Sequence, residues 1–272
     1  MAAVPRTPLP DPAARRRFQR RLLGWYARHR RDLPWRRTSD PYHILVSEIM
    51  LQQTQVDRVI PKYHEFIARY PTLESLARAR TSSVKRLWYP LGYNIRPVHL
   101  QGIARETLAR YDGRLPDDAR ALRSMRGIGP YTAGAILAFA YRQDAALVDT
   151  NVRRVLTRVF LGPQRGRRAS GDKAVWALAQ GLVPASLAYD YNQALMDFGA
   201  TWCTARVPRC ARCTMRTFCA SYGRSADGKP NRRAPGRSDG KPNRRMPGRR
   251  DRPRTSRVAR GPDPANDRRP SR

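Results

Sequence analysis

Leu122-Arg123-Ser124-Met125-Arg126-Gly127-Ile128-Gly129-Pro130-Tyr131-Thr132-Ala133-Gly134-Ala135-Ile136 reads as the end of a short helix, a Gly-x-Gly turn and a second helix with apolar periodicity. A glycine on each side of Ile128 lets the turn approach another surface closely, with backbone N–H groups presented where the next helix starts. Such a turn suits a phosphate, and it positions a polyanion without reading its sequence. Beyond it, Val148-Asp149-Thr150-Asn151-Val152 opens a stretch in which Val152, Val155, Leu156, Val159 and Phe160 form the apolar stripe of a helix. Asp149 therefore stands at a helix start. It is either an ordinary N-cap or a carboxylate that the same placement keeps ionised beside the hairpin.

Upstream, Ala13 begins a basic helix with Phe18, Leu22, Trp25 and Tyr26 near one face, which stops before Asp32-Leu33-Pro34-Trp35-Arg36. Asp40-Pro41 supplies a cap and a proline at the first helical position for Tyr42 to Leu51. One acid, Glu48, interrupts the nearly continuous apolar run of that helix. Held inside, its ionised form is disfavoured and its pKa raised; facing solvent or paired with an arginine, it is an ordinary acid. The amides of Gln52, Gln53 and Gln55 follow. Further helices are expected over Val56 to Tyr70, Leu73 to Ala79, Val84 to Leu91 and Leu100 to Tyr111, with Pro71, the Leu91-Gly92-Tyr93-Asn94 turn, Pro97 and Gly113 as breakers. Lys173 to Leu182 continues the pattern after a basic loop over Gly162 to Gly171, and Tyr191 to Ala200 leads into the cysteines. No segment alternates with period two, so the class is all-α.

A net charge of +33 over 272 residues points to a polyanionic partner, either nucleic acid or a membrane surface. Residues 220 to 272 contribute 17 Lys/Arg against five acids, so the preceding part is basic by itself. No apolar run reaches the roughly 18 residues of a membrane span, and the N-terminus lacks a signal-peptide core. The expectation is a cytoplasmic, nucleoid-associated protein with no membrane association, acting as a monomer. Cys203, Cys210, Cys213 and Cys219 lie within seventeen residues, with gaps of six, two and five. That excludes a general disulfide framework and implies one four-thiolate centre, for which spacing alone permits zinc or an iron–sulfur cluster.

The division follows: residues 1–12 disordered, 13–221 a folded domain with its cysteine loop at 203–219, and 222–272 a disordered basic tail. In the tail Asp227 to Ser238 recurs as Asp239 to Arg250 with two differences. Repeats this rich in Gly, Pro and Arg bury no core and instead suit salt-sensitive affinity for a polyanion.

The hairpin, the Gly/Pro-rich loop and the aspartate resemble the helix-hairpin-helix DNA glycosylases of the endonuclease III superfamily, from about Phe18 to Cys219. Ser47-Glu48-Ile49-Met50-Leu51-Gln52-Gln53-Thr54-Gln55-Val56 narrows the resemblance to the adenine DNA glycosylase branch. The resemblance implies that fold: two helical subdomains with a 4Fe-4S cluster loop, here held by the four cysteines. It implies double-stranded DNA with mismatched or oxidised base pairs as partner, and adenine opposite 8-oxoguanine or guanine as target. Residue by residue it gives Glu48 as the acid that protonates adenine and helps activate water, Asp149 as stabiliser of the oxocarbenium ion and Asn151 as its support. Tyr131 stands where lyase members carry a Schiff-base lysine, which implies a monofunctional enzyme. Trp35, Arg36 and Gln193 match positions lining or reading the adenine pocket. Gln52 belongs to the DNA-facing amides, Gln53 and Tyr93 match residues inserted into the duplex, and Gly127 and Gly129 grip its backbone. Trp35 and Tyr93 read equally as core aromatics by themselves.

Three departures bear on substrate. Asp149-Thr150-Asn151 stands where Asp-Gly-Asn is common, Asn94 replaces a second aromatic, and a basic tail occupies the place of the usual domain that recognises 8-oxoguanine. Two alternatives stand beside the adenine reading: a thymine/uracil mismatch glycosylase, and a non-catalytic DNA-binding protein.

Overall fold

The computed structural model describes residues 9–162 and 172–223. The expected disorder of residues 1–8, the basic loop at 163–171 and the repeated tail from 224 lie outside the described residues.

The described residues form eleven α-helices and contain no strand, as the missing period-two alternation requires. The first helix, α1 (Pro12–His29), starts one residue earlier than the sequence suggests. Asp11 caps it by accepting from the Ala14 N–H at 2.8 Å, and Pro12 takes the first helical position, where its missing N–H costs nothing. Helix α2 (Pro41–Leu51) uses the same device, with the Asp40 carboxylate accepting from Tyr42 at 2.7 Å.

There follow α3 (Val56–Arg69), α4 (Leu73–Arg78) with a reciprocal Thr72–Ser75 capping box, and α5 (Thr81–Trp88), which gives way at Pro90 to a 3₁₀ turn over Tyr89–Leu91. Helix α6 (Arg96–Arg110) begins four residues before the expected Leu100. Pro97 is not a breaker but lies in the first turn, where proline is tolerated. The chain then runs through α7 (Ala119–Ser124), α8 (Pro130–Phe139), α9 (Thr150–Leu156), a π-helical turn at Thr157–Leu161, α10 (Asp172–Leu182) and α11 (Ala188–Thr201).

Two hydrophobic cores result. One gathers residues from Leu33 to Leu137, including Phe66, Leu76, Trp88 and Leu100 from α3 to α6. The other joins α1 to the last three helices: Phe18 meets Phe160 edge to face at 4.9 Å, and Trp25 meets Phe198 likewise at 5.0 Å. Helices α2 and α8 serve both. Leu45, Ile49 and Ile136 point into the first core, while Ile44, Ala135 and Phe139 point into the second. Whatever projects from these two helices between the cores is placed at the seam.

No helix among the described residues is long and apolar enough to cross a membrane.

Candidate active site

Glu48 occupies that seam. It projects from α2 with 3% of its surface exposed, and its Oε2 is buried with no hydrogen-bond partner. Burial pushes its pKa up to about 7; the Tyr131 hydroxyl opposes this by hydrogen-bonding toward the carboxyl, the negative charge of Asp149 adds to it, and the Arg36 guanidinium opposes it. Tyr131 comes from the first turn of α8 and is itself held well above its ordinary pKa by burial and by Glu48. Its hydroxyl also contacts the Met196 sulfur at 4.0 Å.

Asp149 is the N-cap of α9, as expected. One carboxylate oxygen accepts from the Val152 N–H at 2.6 Å and the other from Asn151 Nδ2 at 2.8 Å. It is part-exposed, so Glu48 and Asp149 have opposite surroundings within electrostatic reach of each other. Asn151 is oriented in turn: its Oδ1 accepts from Arg154 Nη2 at 2.7 Å, and Arg154 also donates to the Gly199 carbonyl at 2.7 Å and the Cys203 carbonyl at 2.8 Å. The close passage of α11 over α9 needs Gly199, because a Cβ there would stand 2.7 Å from the Asn151 Cβ.

Beneath the site lies an ion cluster that sequence reasoning did not find. Asp197 on α11 is wholly buried and takes a bidentate fork from Arg36 at 2.8 Å on each oxygen, together with Arg31 Nε at 2.7 Å and the Arg31 N–H at 3.1 Å. Burial by itself would raise the Asp197 pKa, but the hydrogen bonds and charges of the two arginines hold it below its ordinary value. Arg36 is therefore engaged below the site, with its side chain 7% exposed. Gln193 is buried one turn earlier on the same face of α11 as Asp197. Trp35 packs in the first core, edge-on to Tyr63 at 5.4 Å.

The hairpin is built from the end of α7, residues 125–129 and α8. Gly127 takes φ +103, and a Cβ there would press to 2.8 Å on His99, so the turn needs glycine twice over. Gly129 is extended and caps α8 with no side-chain bond, which leaves the first N–H groups of that helix to an external acceptor. Arg126, Gly127, Gly129 and Pro130 are all exposed. Gln53 and Tyr93 are exposed in left-handed backbone, at φ 56 and φ 50, while Gln52 is part-buried at the end of α2.

The four cysteines are free thiols that interact electrostatically with one another. Burial raises Cys213 to about 11 and lifts Cys210 and Cys219 as well. Donors nevertheless face the sulfurs: Arg158 Nη1 lies 3.6 Å from Cys203 Sγ, the Met215 N–H lies 3.4 Å from Cys213 Sγ, and the Ser221 and Tyr222 N–H groups reach Cys219. Among the described residues no three His, Cys, Asp or Glu side chains converge as one metal ion requires.

Comparison with known proteins adds to this geometry. Residues 46–180 match the model for the HhH-GPD superfamily base excision DNA repair protein. The chain is 40% identical over 221 residues to the adenine DNA glycosylase of Rattus norvegicus, aligning 78% of this chain with 43% of that protein. It is 41% identical over 236 residues to the adenine DNA glycosylase of Mycobacterium tuberculosis (strain ATCC 25618 / H37Rv), aligning 82% of this chain with 76% of that protein. The structure of a thermostable thymine-DNA glycosylase superposes with a TM-score of 0.72 at 35% identity, covering 77% of this chain and 97% of that one. The chain thus spans less than half the length of the rat relative.

Proposed function

Because this chain belongs to the HhH-GPD superfamily of base excision DNA repair proteins, we propose that it is a monofunctional DNA glycosylase, hydrolysing the N-glycosidic bond of adenine mispaired with 8-oxoguanine or guanine in double-stranded DNA. One observation carries the reading: a buried Glu48 raised to about 7 beside an Asp149 whose oxygens are held by an N–H and an amide. Cleaving a glycosidic bond needs one carboxyl protonated and another ionised; burial keeps Glu48 protonated to higher pH, and Asp149 is supplied with the N–H and amide donors that a carboxylate accepts.

The Glu48 proton passes to a ring nitrogen of the extruded adenine, and the C1′–N bond breaks with its electron pair leaving on the base. The Asp149 carboxylate faces the positive charge that develops on the sugar. Water then adds to C1′ and returns a proton to Glu48. A phenol offers no amine for a Schiff base, so Tyr131 leaves the abasic strand uncut.

Tyr131→Phe is expected to remain active while the alkaline limb of its rate profile moves to higher pH, because the hydroxyl that lowers the Glu48 pKa is gone. A single-turnover pH series measures this; an unmoved limb contradicts the Glu48–Tyr131 coupling.

The hairpin turn and the exposed Arg206, Arg209, Arg212 and Arg216 of the cysteine loop suit the DNA backbone. The donor set also fits a 4Fe-4S cluster held by Cys203, Cys210, Cys213 and Cys219. Each cysteine would supply one sulfur ligand to such a cluster, and the Met215 N–H and Arg158 place hydrogen-bond donors against two of those sulfurs. Bound there, the cluster would fix the shape of the basic loop and take no part in bond breaking.

A second reading, a thymine or uracil mismatch glycosylase, draws support from the likeness to the thymine-DNA glycosylase along nearly the whole of that chain. The test is base release from duplexes carrying A opposite 8-oxoguanine, A opposite G, T opposite G and U opposite G, before and after alkali. Adenine release with strand breaks only after alkali is the expected result. Release of thymine or uracil alone moves the protein to the mismatch branch, and tight binding with no release leaves it a DNA-binding protein.

A further inference from the structure

Arg96 carries a buried charge that the chemistry above leaves unused. It opens α6 with 6% of its surface exposed, and none of the ion pairs among the described residues includes it. In place of a carboxylate it has six neutral acceptors, drawn from the end of α2 with the loop after it and from the turn that precedes α6. Nη1 donates to the carbonyls of Ile49 and Met50 at 3.1 Å each and to that of Gln52. Nη2 donates to the carbonyls of Leu91 at 3.0 Å and Gly92 at 3.2 Å, and to Thr54 Oγ1 at 3.2 Å. The guanidinium lies 5.2 Å from the Tyr93 ring centroid and 5.5 Å from that of Trp88.

Each of the two segments so joined carries, at or beside the acceptors, one of the five non-glycine residues with positive φ among the described residues. Gln53 and Tyr93 both hold left-handed backbone that a non-glycine residue pays to adopt, and both face solvent. Apolar surface gathers at the second tip, with Tyr89 at 70%, Tyr93 at 60% and Ile95 at 55% exposure. The Ile49 and Met50 carbonyls belong to the last turn of α2, so the same guanidinium satisfies the end of the helix that carries Glu48.

We propose that Arg96 is a positioning residue that locks Gln53 and Tyr93 into one rigid two-pronged wedge, referenced to the Glu48 helix, so that both prongs enter the duplex together and extrude the target base. The inference rests on the glycosylase reading. A planar fork with donors on two nitrogens spans both segments, whereas a lysine, with one ammonium, keeps the charge but reaches one segment at a time. Neutral stitching occurs nearby without this consequence: Gln101 Nε2 ties the Leu76 and Ala79 carbonyls, and no strained, exposed residue depends on it.

The test uses the full chain and a duplex with 2-aminopurine beside the mispaired adenine, whose fluorescence rises on unstacking. Arg96→Lys is expected to remain folded by thermal melting and to bind undamaged duplex as the parent does, since the charge is unchanged. Its fluorescence rise should nearly vanish and its single-turnover rate fall about 100-fold, whereas in a Gln53→Ala/Tyr93→Ala background the same substitution should cost no more than about 3-fold. Thr54→Val, which deletes one of the six acceptors, should reproduce the pattern at smaller amplitude and serves if Arg96→Lys unfolds. An equal loss in both backgrounds, or full unstacking by Arg96→Lys, overturns the proposal while the glycosylase reading stands. A parent protein that neither unstacks the duplex nor releases a base removes the reading and the wedge together.

Discussion

In Glu48→Gln, base release is expected to fall by about 10²–10⁴-fold, the usual contribution of a positioned acid, while binding to the mismatched duplex persists. The same substitution should make the protein more stable above neutrality. Glu48 is raised from 4.5 to about 7 in the fold, so the native state holds a proton that the unfolded chain has lost between those values. Stability therefore falls as pH rises through that window and levels off above it, and the amide, which never ionises, escapes the loss. A tenfold change in the proton equilibrium is worth about 1.4 kcal/mol, so the gain at pH 8 is on the order of 3 kcal/mol. Urea melts of both proteins at pH 5 and pH 8 measure it: a gain at pH 8 that shrinks at pH 5 is expected. Full activity in Glu48→Gln, or equal stability at both pH values, would falsify the placement of a buried catalytic acid.

Asp197→Asn is expected to have the largest effect on folding. The carboxylate answers two arginines in a wholly buried site, and removing its charge strands the Arg36 guanidinium, whose side chain is 7% exposed. Breaking one partner of such a cluster costs about 3–5 kcal/mol, against roughly 5–15 kcal/mol for a whole domain. Because the Asp197 pKa is depressed in the fold, its contribution is present above the ordinary carboxylate range and is lost as pH falls through the folded value. The melting difference between parent and variant should thus narrow in acid. In whatever folds, the uncompensated Arg36 acts more strongly on Glu48, whose pKa it lowers, so the alkaline limb of the rate profile moves down. A variant as stable as the parent at pH 7 would show that the arginines are neutralised otherwise.

What the sequence disclosed and withheld divides along one line: local signals against distant ones. The hairpin was legible because glycine and proline punctuate the backbone wherever they stand, and Asp40-Pro41 announced α2 in the same way. Glu48 stood out as one acid in an apolar run. Asp197 carried that same signal within Tyr191 to Ala200, but its partners Arg31 and Arg36 lie 166 and 161 residues away, so nothing nearby explained it. Arg96 and Arg154 gave no local sign, since each acts on carbonyls at the ends of other elements. Pro97 misled for a physical reason, because the residue that ends a helix interior also fits a helix start.

The interleaving of the two cores has a consequence for synthesis. Helix α1 packs against α11, so the second core opens with Phe18 and closes only with Phe198 and Met215, and the first core lies wholly between α1 and α11 in the chain. As the polypeptide leaves the ribosome, the apolar stripe of α1 waits without its partner while everything up to α8 emerges and can condense. The last helices to appear complete the fold and also bring Asp197 beneath Arg36 and Gly199 against Asn151. A nascent chain halted before α11 would therefore carry a nearly finished first core, a bare and sticky first helix, and no working site.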